Sequence, residues 1–128
     1  VTRDRIRELY RGYIACLNAQ DWDALHHHVA DGVEYNGAAI GLNGYRKMLV
    51  EDFRAIPDLS FNIAMLACDP PVIASRLAFD CTPVGQLFGL PVNGARIRFT
   101  ENVFYEYHDD RIRRVWSVID KASVAEQI

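Results

Sequence analysis

The stretch 96–120 reads RIRFTENVFYEYHDDRIRRVWSVID. Two runs dense in aromatic and β-branched side chains, Arg96 to Tyr107 and Arg111 to Asp120, flank Asp109-Asp110, a pair suited to a tight reversal. The spacing predicts a long β-hairpin. Alternation then sorts side chains by face: Phe99, Glu101, Val103 and Tyr105 share one parity in the first strand, and Ile112, Arg114, Trp116, Val118 and Asp120 share one in the second. Upstream the same period of two recurs. Leu59, Phe61, Ile63 and Met65 alternate with Ser60, Asn62 and Ala64, and after the turn at Asp69-Pro70-Pro71 a strand of Val72 to Cys81 follows. A loop holding Gly85, Gly89, Pro91 and Gly94 separates the two hairpins.

Before Pro57 the period is helical. Thr2 is a natural N-cap for a first helix with Ile6, Leu9, Tyr10, Tyr13, Ile14 and Leu17 on one face. Asp21 can cap a short second helix carrying Trp22, Leu25 and Val29, which the Asp31-Gly32 turn would end. A short strand at Val33 to Asn36 precedes a third helix, opened by Asn43 and carrying Tyr45, Met48, Leu49, Phe53 and Ile56. Helices first and hairpins after predict an α+β fold. About three N-terminal helices should pack on one face of a strongly curved, mostly antiparallel sheet and enclose a pocket, in one domain spanning 1–128.

Composition narrows the function classes. The chain has 128 residues, half of them hydrophobic, a quantity suited to one ordinary core. A net charge of −3 with arginines spread from Arg3 to Arg114 argues against nucleic acid as a partner. No run is long and apolar enough for a membrane span, and Val1 to Arg11 lacks the pattern of a signal peptide. Cys16, Cys68 and Cys81 form no C-x-x-C pair and read as packing thiols of a reducing compartment, which makes a cytoplasmic location the expectation.

Four segments look familiar in combination: 53–61, Arg76 within the second long strand, 88–94, and Ile112-x-x-x-Trp116-x-x-x-Asp120. Together they resemble the SnoaL-like polyketide cyclases, of the nuclear-transport-factor-two-like superfold, over essentially the whole chain. The resemblance implies a cone-shaped fold and cofactor-independent intramolecular aldol ring closure of a polyketide or small carbonyl substrate. It also implies a single acidic residue at the position of Asp120, and a homodimer. Where family members often carry a histidine before the Gly-rich loop, this chain has Pro83.

The candidate site residues follow. Asp120 ends a partly apolar stripe beside Trp116 and Val118, where poor solvation would raise a carboxyl pKa into the range of an acid/base catalyst; capping the segment Lys121 to Gln127 is the plainer role. Arg76, in an otherwise apolar strand, needs an anion, either substrate or Glu101 or Asp80. Glu101 shares parity with interior residues and is either a second acid or an outward, solvated side chain. Asn36 can donate and accept toward a substrate or serve a turn. Phe53 and Trp116 can enclose a substrate or belong to the core. His28 stands where the family is usually apolar, as an auxiliary base or a satisfied core residue. His26, His27 and His28 point about 100° apart on a helix and predict no metal site. Asp52, seven residues after Tyr45, reads as an exposed residue at the edge of the third helix's apolar face. Double-bond isomerisation, epoxide hydrolysis and a non-catalytic binding or dimerisation module are the competing functions.

Overall fold

Thr2 starts the first helix as its chemistry dictates: its hydroxyl accepts the Arg5 N–H at 3.1 Å, capping α1 (Arg3–Asn18). In the computed structural model, which describes residues Val1–Ile128, α1 buries Ile6, Tyr10, Tyr13, Ile14 and Leu17 against the sheet. The second helical segment is tighter than its spacing predicts, a 3₁₀ turn (Trp22–His27) that buries only Leu25. The chain then enters β1 (Val29–Tyr35) at once, so Asp31 and Gly32 lie within a bulged strand rather than closing a helix. Val29 and Val33 are the buried anchors that draw this segment onto the sheet. The third predicted helix forms as α2 (Gly41–Ala55), but Asn43 does not open it: Ile40 precedes the helix without a side-chain cap, and Asn43 lies in the first turn, accepting from Arg46 Nη1 at 2.9 Å.

The strands β2 (Asn62–Asp69), β3 (Val72–Cys81), β6 (Ile97–His108) and β7 (Arg111–Ile119) build a sheet with β1 in the order β1-β7-β6-β3-β2. Only the β1–β7 pair is parallel. Leu59 and Phe61 precede β2, which begins at Asn62, and both are buried. The Asn18 side chain clamps that lead-in, accepting from Phe61 N–H at 2.8 Å and donating to Phe61 C=O at 3.0 Å. The β6–β7 hairpin turns on Asp109 and Asp110 with φ of 49° and 63°, the left-handed pair that a two-residue primed turn requires. Between β3 and β6 a small hairpin, β4 (Gln86–Leu87) and β5 (Leu90–Pro91), folds back toward α2, tethered by Val84 N–H to Ala55 C=O at 2.9 Å.

One irregularity overturns the parity assigned to the last strand. Glu106 pairs with Arg114 while Tyr107 pairs with Ile112, so Arg113 is an extra residue, a β-bulge. Glu106 holds it in place by accepting from Arg113 Nε at 3.0 Å and Arg114 Nη1 at 3.4 Å, and Arg114 Nε reaches Glu34 at 2.8 Å. Beyond the bulge the faces exchange. Ile112 and Val115 are both buried in the concave side, whereas Trp116 and Val118, 41% and 71% exposed, point from the convex side. A short C-terminal helix, α3 (Lys121–Glu126), follows β7.

Candidate active site

The helices and the concave sheet face surround a cavity of about 130 Å³ that reaches solvent beside Asp52. α2 contributes Tyr45, Met48, Leu49, Asp52 and Ala55, successive members of one helical face. β6 contributes Phe99, Glu101, Val103 and Tyr105 at the strand period, and the β4–β5 hairpin covers the space with Leu87 and Phe88. Nearly all of the lining is hydrocarbon or aromatic. Two side chains in it, Asp52 and Glu101, are carboxyls.

Burial dominates the electrostatics of both. Hydrocarbon around Asp52, reinforced by the negative charge of Glu101, pushes its carboxyl up to about 7, although the side chain meets water at the cavity mouth. Asp52 is exposed at the edge of the α2 face, as its register predicts, and the same edge opens onto the cavity. Glu101 lies deeper, and burial likewise raises it above the usual carboxylate range. A counteracting contact favours its ionised form: the Ser117 hydroxyl donates a short hydrogen bond to Glu101 Oε2. Ser117 is itself fixed by Asn36, which accepts from Ser117 N–H at 2.8 Å and donates to Ser117 C=O at 3.3 Å. At the closed end the hydroxyls of Tyr13 and Tyr45 share a hydrogen bond of 2.6 Å, and burial pushes both phenols above their ordinary range. The cavity therefore combines an acid poised near neutrality, a second carboxyl held by a hydroxyl, and phenolic donors, in a site of low polarity.

Of the residues put forward from the sequence as binding or catalytic, Glu101 alone lines this cavity, and Asp52, read there as an exposed edge residue, lines it as well. Asp120 is exposed and caps α3, accepting from Ser123 N–H at 3.1 Å beside a shallow polar depression that includes Arg76, Asp80 and Arg98. The Arg113 bulge is the reason, since it turns Asp120 and Trp116 away from the enclosed face. Trp116 borders a surface groove with Glu34 and Arg114. Arg76 is also on the convex face, with Nη1 3.4 Å from Asn102 Oδ1, because Ile73, Ser75, Leu77 and Phe79 take the inward positions of β3. It pairs with neither Glu101 nor Asp80; Asp80 instead accepts from Arg96 at 2.7 Å and Arg98 at 3.2 Å. Phe53 is core, its ring 5.7 Å from that of Trp22 and 6.1 Å from that of Phe61. His28 packs its ring edge-on against Tyr13 at 6.5 Å, outside the lining, and partial burial lowers its pKa. Asn36 acts on the site at one remove, through Ser117. His26 and His27 are exposed, their rings tilted against one another at 4.0 Å, and no three potential metal-ligating side chains converge anywhere in the chain.

Asp52 and Ser117 were not recognisable as a pair from sequence alone. The signal for Asp52 was its helical register with Tyr45, Met48 and Leu49. For Ser117 no sequence signal existed, because its inward direction depends on the bulge.

Comparison with known proteins agrees with this architecture. A SnoaL-like polyketide cyclase from Agrobacterium tumefaciens is 48% identical and superposes with a TM-score of 0.94, covering 95% of this chain and 96% of that one. TsrD from Streptomyces laurentii, 21% identical, has a TM-score of 0.87 over 99% of this chain and 96% of its own. IdmH from Streptomyces antibioticus, 16% identical, has a TM-score of 0.83 over 95% and 96%. These two show a shared fold. No functionally curated protein matches the chain. The profile that describes SnoaL-like polyketide cyclases matches residues 7–128, nearly the full length. With an enclosed apolar cavity on a bent sheet and a close relative of the same description, the chain belongs to the SnoaL-like polyketide cyclase family.

Proposed function

We propose that this protein is an enzyme that uses Glu101 and Asp52 as a base and acid pair to enolise a small carbonyl compound and promote aldol-type ring closure. The observation that carries the reading is the presence of two carboxyls with raised pKa in a cavity otherwise lined by aliphatic and aromatic side chains. Glu101, favoured in its ionised form by Ser117, removes a proton from the carbon beside a carbonyl. Asp52, whose carboxyl is pushed up to about 7, holds a proton well above the pH at which an ordinary carboxyl releases it and delivers that proton to the oxygen that gains charge as the new carbon–carbon bond forms. A proton has left carbon and another has reached oxygen, so the ring-closed product is neutral and the pair resets by exchanging the proton with solvent at the mouth. The chain itself supplies every group in this sequence. The acid/base role that family resemblance places at Asp120 is thus assigned to Glu101 and Asp52.

The test is exchange of α-hydrogens for deuterium in a panel of small ketones, followed by NMR. Wild-type protein should accelerate exchange, and Glu101→Gln should lose at least about a hundredfold of that acceleration. Undiminished exchange in Glu101→Gln would refute the assignment. Exchange without ring closure of any dicarbonyl substrate would recast the protein as an isomerase.

We also propose that two copies associate through the convex sheet face, where Met65, Phe104, Trp116 and Val118 leave an apolar surface in water. Light scattering of the native protein and of Val118→Lys distinguishes the cases: a dimer that dissociates on substitution supports the interface, and a native monomer overturns it. No helix is long and apolar enough to cross a membrane, and three unpaired thiols support a cytoplasmic setting.

A further inference from the structure

The dimensions and charge of the cavity specify more than acid/base chemistry. A space of about 130 Å³ is comparable to the ~150 Å³ apolar cavity that accommodates benzene in another protein. The walls are not readily displaced. Phe61 meets Phe79 edge-on at 5.4 Å, Phe79 stacks on Phe99 at 4.9 Å, and Phe88 stands perpendicular to Phe99 at 5.7 Å, so each ring braces the next from the core to the lid. The lid is braced too. Val84 bonds it to the end of α2, Gly94 N–H to Pro83 C=O at 3.0 Å closes its base, and the Lys121 ammonium lies 5.5 Å from the Phe88 ring. Phe88 adopts φ of +54°, a backbone setting uncommon for a bulky side chain, and it lines the space.

Charge adds a second restriction. No arginine, lysine or histidine lines the cavity, while two carboxyls do. An anionic ligand would enter without a partner and against like charge. The polar contacts on offer are those a neutral oxygen can use: a phenolic hydroxyl at the Tyr13–Tyr45 pair and a protonated carboxyl at Asp52.

Building on the acid/base reading of the same site, we propose that its substrate is a neutral carbonyl compound with a single carbon ring, or one that closes to a single ring, that Phe88 sets the size limit which excludes fused polycycles, and that the carboxyl-bearing, cation-free lining excludes carboxylates.

Binding can be tested separately from chemistry. Isothermal titration of the full chain would compare acetophenone and 2-cyclohexen-1-one with benzoate, an anion of similar size, and with the three-ring ketone anthrone. The two single-ring ketones should bind at least about tenfold more tightly than benzoate or anthrone. Phe88→Ala should shift the ratio of 1-tetralone to acetophenone affinity by about tenfold toward the two-ring ketone, and an unshifted ratio would overturn the role of Phe88. Phe88→Leu provides the same comparison with a smaller change in volume if the alanine variant does not fold. Anthrone or benzoate binding as tightly as acetophenone would overturn the proposal, and so would binding of none of the four. If acetophenone binds selectively but Glu101→Gln leaves α-exchange unchanged, the acid/base reading fails and the size limit stands. If anthrone binds and its exchange depends on Glu101, the size limit fails and the acid/base reading stands.

Discussion

Replacing Asp52 by Asn should make the protein relatively more stable at alkaline pH. In the folded state burial keeps the Asp52 proton up to about pH 7, whereas an unfolded chain releases it near the ordinary value of 3.8. The folded state therefore binds the extra proton between those values. Its contribution to stability is complete below about pH 3.8 and is lost as pH rises through about 7. At ~1.4 kcal/mol for each tenfold change in proton affinity, the full displacement is worth about 4 kcal/mol. Because the carboxyl meets water at the cavity mouth, screening reduces the expected effect to on the order of 1–2 kcal/mol. Glu101 is displaced in the same direction but remains in both proteins, so it largely cancels from the comparison. Urea denaturation of the wild type and Asp52→Asn at pH 5, 6, 7 and 8 should show the variant gaining about 1 kcal/mol over the wild type across that range, or about 3 °C in Tm. Curves that remain parallel would show that Asp52 is solvated like a surface carboxyl, and its place in the acid/base pair would go with it.

Two further substitutions probe what surrounds the pair. Ser117→Ala removes the hydroxyl that favours ionised Glu101, so the acid limb of the pH profile for α-exchange should move upward and the rate at pH 7 should fall by about tenfold; an unmoved limb would leave Ser117 a packing residue. Tyr10 is fully buried and its hydroxyl lacks a hydrogen bond of good geometry, although Ser75 and Tyr105 lie close by. Tyr10→Phe should therefore be neutral or stabilise by up to about 1 kcal/mol in urea denaturation, since an unsatisfied buried hydroxyl costs about 1–3 kcal/mol. A loss of more than about 1 kcal/mol would mean that this hydroxyl is satisfied after all.

The parts of the fold visible in the sequence are those set by local chemistry. Val72 to Cys81 forms a strand over the predicted span because inward Ile73, Leu77 and Phe79 alternate with outward Ala74, Arg76 and Ala78, and no residue disrupts that period. Asp109-Asp110 forms the predicted turn for an equally local reason, two residues tolerant of positive φ. The last strand is different. Its period of two is interrupted at Arg113, and the interruption depends on Glu106 of the neighbouring strand gathering two guanidinium groups, a contact that no window along β7 contains. An uninterrupted strand would have turned Trp116 and Asp120 inward and Ser117 outward. The bulge does the reverse, and with it moves the chemistry from Asp120 to Glu101, whose partner hydroxyl becomes available only because Ser117 now shares the concave side with Val115 and Ile119. Asp52 was hidden for a different reason. Its helical register was correct for the lining, but a carboxyl on an apolar face ordinarily marks an edge exposed to solvent, and only the hairpin carrying Leu87 and Phe88, folded across from the far end of β3, converts that edge into the mouth of an enclosed site.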